Sequence, residues 1–106
     1  MSQTEPAGTI HVQREPQLIG FGMRAYVHLD GAMIGRLRPG EALTATTAPG
    51  ARLLQVRGAG VGAIIASDTL LIHLRPGELA AIRLVIRRGV WRNGYQLQRV
   101  YPPRRP

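Results

Sequence analysis

Apolar and polar side chains alternate with a period of two through most of this chain, the pattern of a strand with one buried face. The alternation is clear over Thr9–Arg14, where Ile10 and Val12 are separated by His11, and over Arg24–Leu29, where Ala25, Val27 and Leu29 share one side. It continues through Ala32–Leu37, the threonine-rich Ala42–Thr47, Ala51–Arg57, Thr69–Arg75 and Tyr95–Tyr101. Leu79–Arg87 is the longest such run, with Ile82, Leu84 and Ile86 on one face. No window sustains a 3.6-residue period. Leu79–Ile86 has fair helix propensity, but Ile82, Val85 and Ile86 are β-branched and favour a strand.

The runs are separated by turn chemistry. Asp30-Gly31 between two alternating segments predicts a tight hairpin, because both central residues of the favoured turn need positive φ. Arg38-Pro39-Gly40-Glu41 and Arg75-Pro76-Gly77-Glu78 repeat one four-residue turn with Pro second and Gly third, the type II preference. Pro49-Gly50 marks a further turn. Glu15–Met23, Gly58–Gly62 and Arg88–Gly94 read as loops, and Ala63–Ala66 is a short apolar piece. The expected architecture is all-β: a single antiparallel β-sandwich of about seven to eight short strands over 9–101. A disordered arm (1–8) precedes it, and a Pro/Arg tail (102–106) that cannot continue a sheet follows.

Composition changes this picture little. The chain has 106 residues, enough for one domain and one core, with 44% hydrophobic residues. Its 13 glycines and 8 prolines are scattered and serve turns rather than a linker. There is no cysteine, which excludes disulfides and thiolate metal sites. The N-terminus has neither a basic run nor an apolar stretch, and no segment has the length of a membrane helix. The expectation is a cytoplasmic protein without membrane insertion, or a cell-envelope protein where an export signal has been removed.

Charge adds a candidate surface. The net charge is +8 and all 14 basic residues are arginine, as codon usage in a GC-rich genome would give. Seven arginines and no acid follow Leu79. Arg83, Arg87, Arg88, Trp91, Arg92, Tyr95 and Arg99 interleave cations with rings, a pattern able to neutralise phosphates and stack on bases. Its bland alternative is a solvated hairpin that attracts polyanions weakly, in a salt-sensitive way, with Trp91 packed back on the sheet. The loop residues Leu18, Ile19, Phe21 and Met23 form a candidate apolar patch for a partner, unless they fold over the open end of the sandwich.

Catalytic chemistry finds little support. His11, His28 and His73 each lie between apolar strand residues and so point to a polar face. Neighbouring strands would be needed to assemble them into a zinc site. Asp30, Glu41 and Glu78 belong to turns, Asp68 suits a turn start, and paired carboxylates would have to face one cleft. Ser67 lacks a nucleophile elbow. Gly58-Ala59-Gly60-Val61-Gly62 does not open a helix, which a dinucleotide loop requires.

Several of these motifs together resemble a known family. The Ile10-His11-Val12 strand is followed by Tyr26-Val27-His28-Leu29-Asp30-Gly31, then Ile34-Gly35-Arg36-Leu37, Gly40-Glu41 and Ala48-Pro49-Gly50-Ala51-Arg52. The pattern resembles the PEGA-like domains, and an uncharacterised family of small bacterial β-sandwich domains often found in exported lipoproteins. The resemblance spans most of the chain, with Arg75-Pro76-Gly77-Glu78-Leu79 in the late position, and implies the sandwich fold with no catalytic residues to carry over. The chain departs from the family in lacking a lipobox cysteine. Glu41-Ala42 also stands where an aromatic follows the first turn, and Leu79-Ala80-Ala81 replaces late tyrosines. These departures bear on location rather than fold.

The sequence therefore predicts a non-enzymatic interaction module with no cofactor, binding a protein partner or another copy of itself. Nucleic-acid or other polyanion binding through the basic C-terminal end is the alternative, and a small metal-dependent enzyme using the histidines comes last.

Overall fold

A computed structural model describes residues 5–16, 24–59, 68–87 and 94–100. Within them the chain forms eight strands: β1 (Gly8–Arg14), β2 (Arg24–Leu29), β3 (Ala32–Leu37), β4 (Ala42–Thr47), β5 (Gly50–Ala59), β6 (Asp68–Leu74), β7 (Leu79–Arg87) and β8 (Gly94–Val100). They form two four-stranded sheets packed face to face. Sheet A has the order β4-β1-β7-β8, and sheet B has the order β3-β2-β5-β6. The edges meet in pairs, with β3 against β4 and β6 against β8. The predicted sandwich is thus the fold. No helix among the described residues is long and apolar enough to cross a membrane.

Five of the six described strand pairings are antiparallel. The exception lies at the centre of sheet A, where β1 and β7 run parallel from Thr9↔Leu79 to Arg14↔Leu84. Local alternation fixes which side of a strand is buried but not its neighbour or its direction, so this pairing had no signature in the turns.

The core is the inner face of both sheets, as the alternation requires. Ile10 and Val12, Val27, Leu54 and Val56, Ile72, and Ile82 and Leu84 are buried and pack as one cluster. Arg14 follows the same parity and is also buried.

The turns behave as their residues dictate. Asp30 and Gly31 have φ of 50° and 87°, the double positive φ of a tight hairpin turn. Gly40 and Gly77 have φ of 85° and 71° at the third position of the repeated turn. In each copy the glutamate N–H donates to the arginine carbonyl at 3.0 Å. The glutamate Oε1 in turn accepts the arginine N–H, at 2.7 Å in Arg38–Glu41 and 2.9 Å in Arg75–Glu78.

One boundary shifts and one register slips. Gly8, expected in a disordered arm, opens β1, and a side chain there would collide with Leu74. Just before it, the Pro6 carbonyl accepts the Gly77 N–H at 3.3 Å. In β3 the register slips, so that Val27 faces Gly35 and His28 faces Met33. Ile34 is the extra residue of a bulge, and Met33 turns outward.

Gly31→Val should destabilise the domain by more than about 1 kcal/mol, because a β-branched residue resists positive φ. Nothing lies within 4 Å of the added Cβ, so the loss reports backbone strain alone. A thermal melt at the wild-type midpoint would refute the strain.

Candidate functional site

Of the predicted basic and aromatic residues, the three with described side chains, Arg83, Tyr95 and Arg99, do not share one surface. Arg88, Trp91, Arg92, Arg104 and Arg105, the side chain of Arg87, and the loop residues Leu18, Ile19, Phe21 and Met23 lie outside the described residues. Of the rest, Arg83 projects from the outer face of sheet A, where it donates to Gln98 Oε1 at 2.9 Å and lies 3.7 Å from Glu15. Arg99 shares the opposite, inner side with Tyr95 and Leu97 and pairs with Glu78 at 2.9 Å. Tyr95 is a core residue, 5% exposed, with the Arg14 guanidinium 5.6 Å from its ring centroid. Tyr95 therefore offers no ring to a partner. The stretch after Leu79 contains no acid, but Glu15 and Glu78 reach it from other parts of the chain. Strand parity divides Arg83 from Arg99.

Four of the six carboxylates bind backbone amides. Glu41 and Glu78 close their turns. Asp30 Oδ1 accepts the Leu53 N–H at 2.8 Å, while its Oδ2 meets Arg52 at 2.9 Å. Asp68 Oδ2 accepts the Leu97 N–H at 2.7 Å, joining the β6 and β8 edges. The Leu53 amide, followed by Arg52, holds the Asp30 carboxyl below its ordinary range, and the Arg75 amide, followed by Arg99, does the same for Glu78. These hydrogen bonds brace the hairpin turn against β5 and close the turn before β7.

The histidines are also dispersed. His11 lies in sheet A, hydrogen-bonded to Thr44 at 3.0 Å. His28 and His73 lie on β2 and β6 of sheet B with β5 between them. Among the described residues no three potential metal ligands are grouped. An open cleft of about 630 Å³ lies at the end of β6, lined by Leu71, His73, Arg75, Glu78 and Arg99 among others. Its carboxylate is already taken by the Arg75 amide and the Arg99 guanidinium.

The two outer faces of the sandwich differ. On sheet A the polar side chains bond to each other or to nearby backbone: His11 with Thr44, Gln13 with the Gly40 carbonyl, Arg83 with Gln98, and Gln98 with Gln96. On sheet B no such bond joins the outward polar side chains of the described residues. Register places Arg36, Tyr26 and Arg57 in one row across β3, β2 and β5, with Arg24 beside them on β2. All three arginines are exposed, and none forms an ion pair among the described residues. The next row is Met33, His28 and Gln55, in which His28 Nδ1 is buried without a hydrogen-bond partner among the described residues. Leu53 and Leu71 face each other in the following row. Met33, Leu53 and Leu71 are 59%, 36% and 55% exposed.

This face escaped the reading of the sequence, which weighed charge by position along the chain. Its signal was present in the doublets Leu53-Leu54 and Leu70-Leu71, where one member of each must face outward. Arg24, Tyr26 and His28 also alternate with the core residues of β2. Against known proteins, the chain matches no family model and no curated protein.

Proposed function

We propose that this chain is a non-enzymatic interaction module of the PEGA-like kind that binds a protein partner through the outer face of sheet B. The observation that carries the proposal is the contrast between the two faces. Among the described residues, Met33, Leu53 and Leu71 are exposed on sheet B against Leu79 alone on sheet A, whose outer polar side chains are bonded among themselves. Exposed aliphatic side chains grouped on one flat surface cost free energy in water and gain it when a partner covers them. Four of the six carboxylates are committed to a turn or a strand edge, which supports a binding role over a catalytic one.

Cross-linking in the native host followed by mass spectrometry tests this. Met33→Ser with Leu71→Ser should abolish the specific cross-links, while Thr46→Ser on sheet A should retain them. A partner set unchanged by the sheet B substitutions would overturn the assignment. So would a chain that forms no cross-links to protein.

A further inference from the structure

The outer face of sheet B also specifies the chemistry of what it binds. We infer that the partner presents an acidic–aliphatic polypeptide segment, its carboxylates on the row of Arg36, Tyr26 and Arg57 and its aliphatic side chains on Leu53 and Leu71. The inference rests on the binding role proposed for this face. It follows from charge complementarity and from the separation, on one sheet face, of the basic row from the facing pair Leu53 and Leu71.

The basic patch comes first. Arg24, Arg36 and Arg57 converge around Tyr26 on three adjacent strands, and the described residues supply none of them with a carboxylate. Elsewhere the chain's few acids are brought to arginines: Asp30 to Arg52, Glu15 to Arg83, Glu78 to Arg99. Three like charges left together repel one another, and an anion laid across them removes that cost. Arginine forks suit carboxylates, which they hold by paired hydrogen bonds.

The aliphatic patch excludes a purely electrostatic ligand. Along β5, Arg57 and Leu53 are four residues apart on the same face, or roughly 13 Å at the rise of a strand. A ligand spanning both must change from anionic to apolar over that distance. An extended peptide does so in about four residues. Single-stranded nucleic acid is a poorer match, because its phosphates repeat and its bases call for a row of rings. Among the described residues the rings on this face are those of Tyr26, His28 and His73, with His73 two strands away on β6, so they form no continuous row, and the aliphatic side chains have no stacking role.

The test uses the whole chain and three fluorescein-labelled probes. One is a peptide of roughly twelve residues with paired glutamates set four residues from paired leucines. The second replaces its leucines by serine, and the third is an oligothymidylate of similar charge. Fluorescence anisotropy should show the first probe binding at least about tenfold more tightly than the other two at physiological salt. Arg36→Glu with Arg57→Glu should weaken it by at least about tenfold. Arg38→Glu with Arg75→Glu, the same change of charge placed on the exposed turns, should have a much smaller effect. Circular dichroism confirms that each variant is folded.

Equal effects of the two charge-reversed pairs would overturn the inference, since the field would then be generic. Equal binding of the leucine and serine peptides would overturn it as well. Tighter binding of oligothymidylate, lost in Tyr26→Ala, would replace it with a nucleic-acid platform. Cross-links in the host that are lost with Met33→Ser and Leu71→Ser but kept with Arg36→Glu and Arg57→Glu would leave the binding role standing and reject the acidic partner.

Discussion

Tyr95→Ala lowers the stability of the domain by about 3–5 kcal/mol, the range for removing a large buried ring, whereas Tyr95→Phe changes it by less than about 1 kcal/mol. Urea denaturation followed by far-ultraviolet circular dichroism gives both values. The contrast follows from what each part of the side chain touches. The ring is 5% exposed between the sheets, and the Arg14 guanidinium sits 5.6 Å from its centroid. Among the described residues the hydroxyl reaches only the Arg24 carbonyl, at 3.5 Å, too long for a strong bond. Burial pushes the phenol pKa up, with the Arg14 charge opposing, so the ring stays neutral at physiological pH. A loss below about 1 kcal/mol for Tyr95→Ala would place the ring at the surface, back among the residues available to a partner.

The second large effect is at Arg14. Arg14→Ala should cost about 2–4 kcal/mol, combining a cavity with an orphaned carbonyl. The guanidinium is 2% exposed, and its Nη1 donates to the Leu37 carbonyl at 2.6 Å, linking β1 of sheet A to β3 of sheet B. Burial lowers the pKa of this arginine, with Tyr95 and Glu41 opposing the shift, so holding the charge carries its own cost. Arg14→Met removes that cost and keeps most of the volume, and its loss should be smaller than that of Arg14→Ala. The same denaturation experiment ranks the two. Arg14→Met less stable than Arg14→Ala would show that packing is not what the long side chain contributes.

The strands were legible because each is short, half-buried and bounded by residues with a conformational reason to turn. β2, β3, β4 and β7 cover the residues that the alternation marks, and the positive φ of Gly31, Gly40 and Gly77 falls where the turns require it. Long-range pairing was not legible. Nothing near Thr9 announces Leu79, so neither the parallel pairing nor the meeting of Arg36, Tyr26 and Arg57 across three strands was encoded locally. Arg14 shows a different failure. Its parity with Ile10 and Val12 puts it inside, but an arginine closing a strand reads as solvated. The ion pairs of the C-terminal stretch were likewise not legible, since Arg83 meets Glu15 from the end of β1 and Arg99 meets Glu78, 21 positions back in the turn before β7.

The parallel junction of β1 and β7 also governs the order in which this chain gains its structure. All four strands of sheet B lie between residues 24 and 74 and can pair through nearby connections as the chain grows. Sheet A has no such route. β1 is synthesised first, yet its parallel neighbour is 70 positions away, from Thr9 to Leu79. Until β7 and β8 arrive, Val27, Leu54, Val56 and Ile72 have only half of the opposing layer to pack against. Closing so long a loop is entropically costly, and topologies dominated by distant contacts fold in about milliseconds to seconds rather than microseconds. Synthesis halted after β6 would leave sheet B with about half of its greasy side in water, a species prone to aggregate. β7 is thus the strand whose arrival commits the chain to its native state.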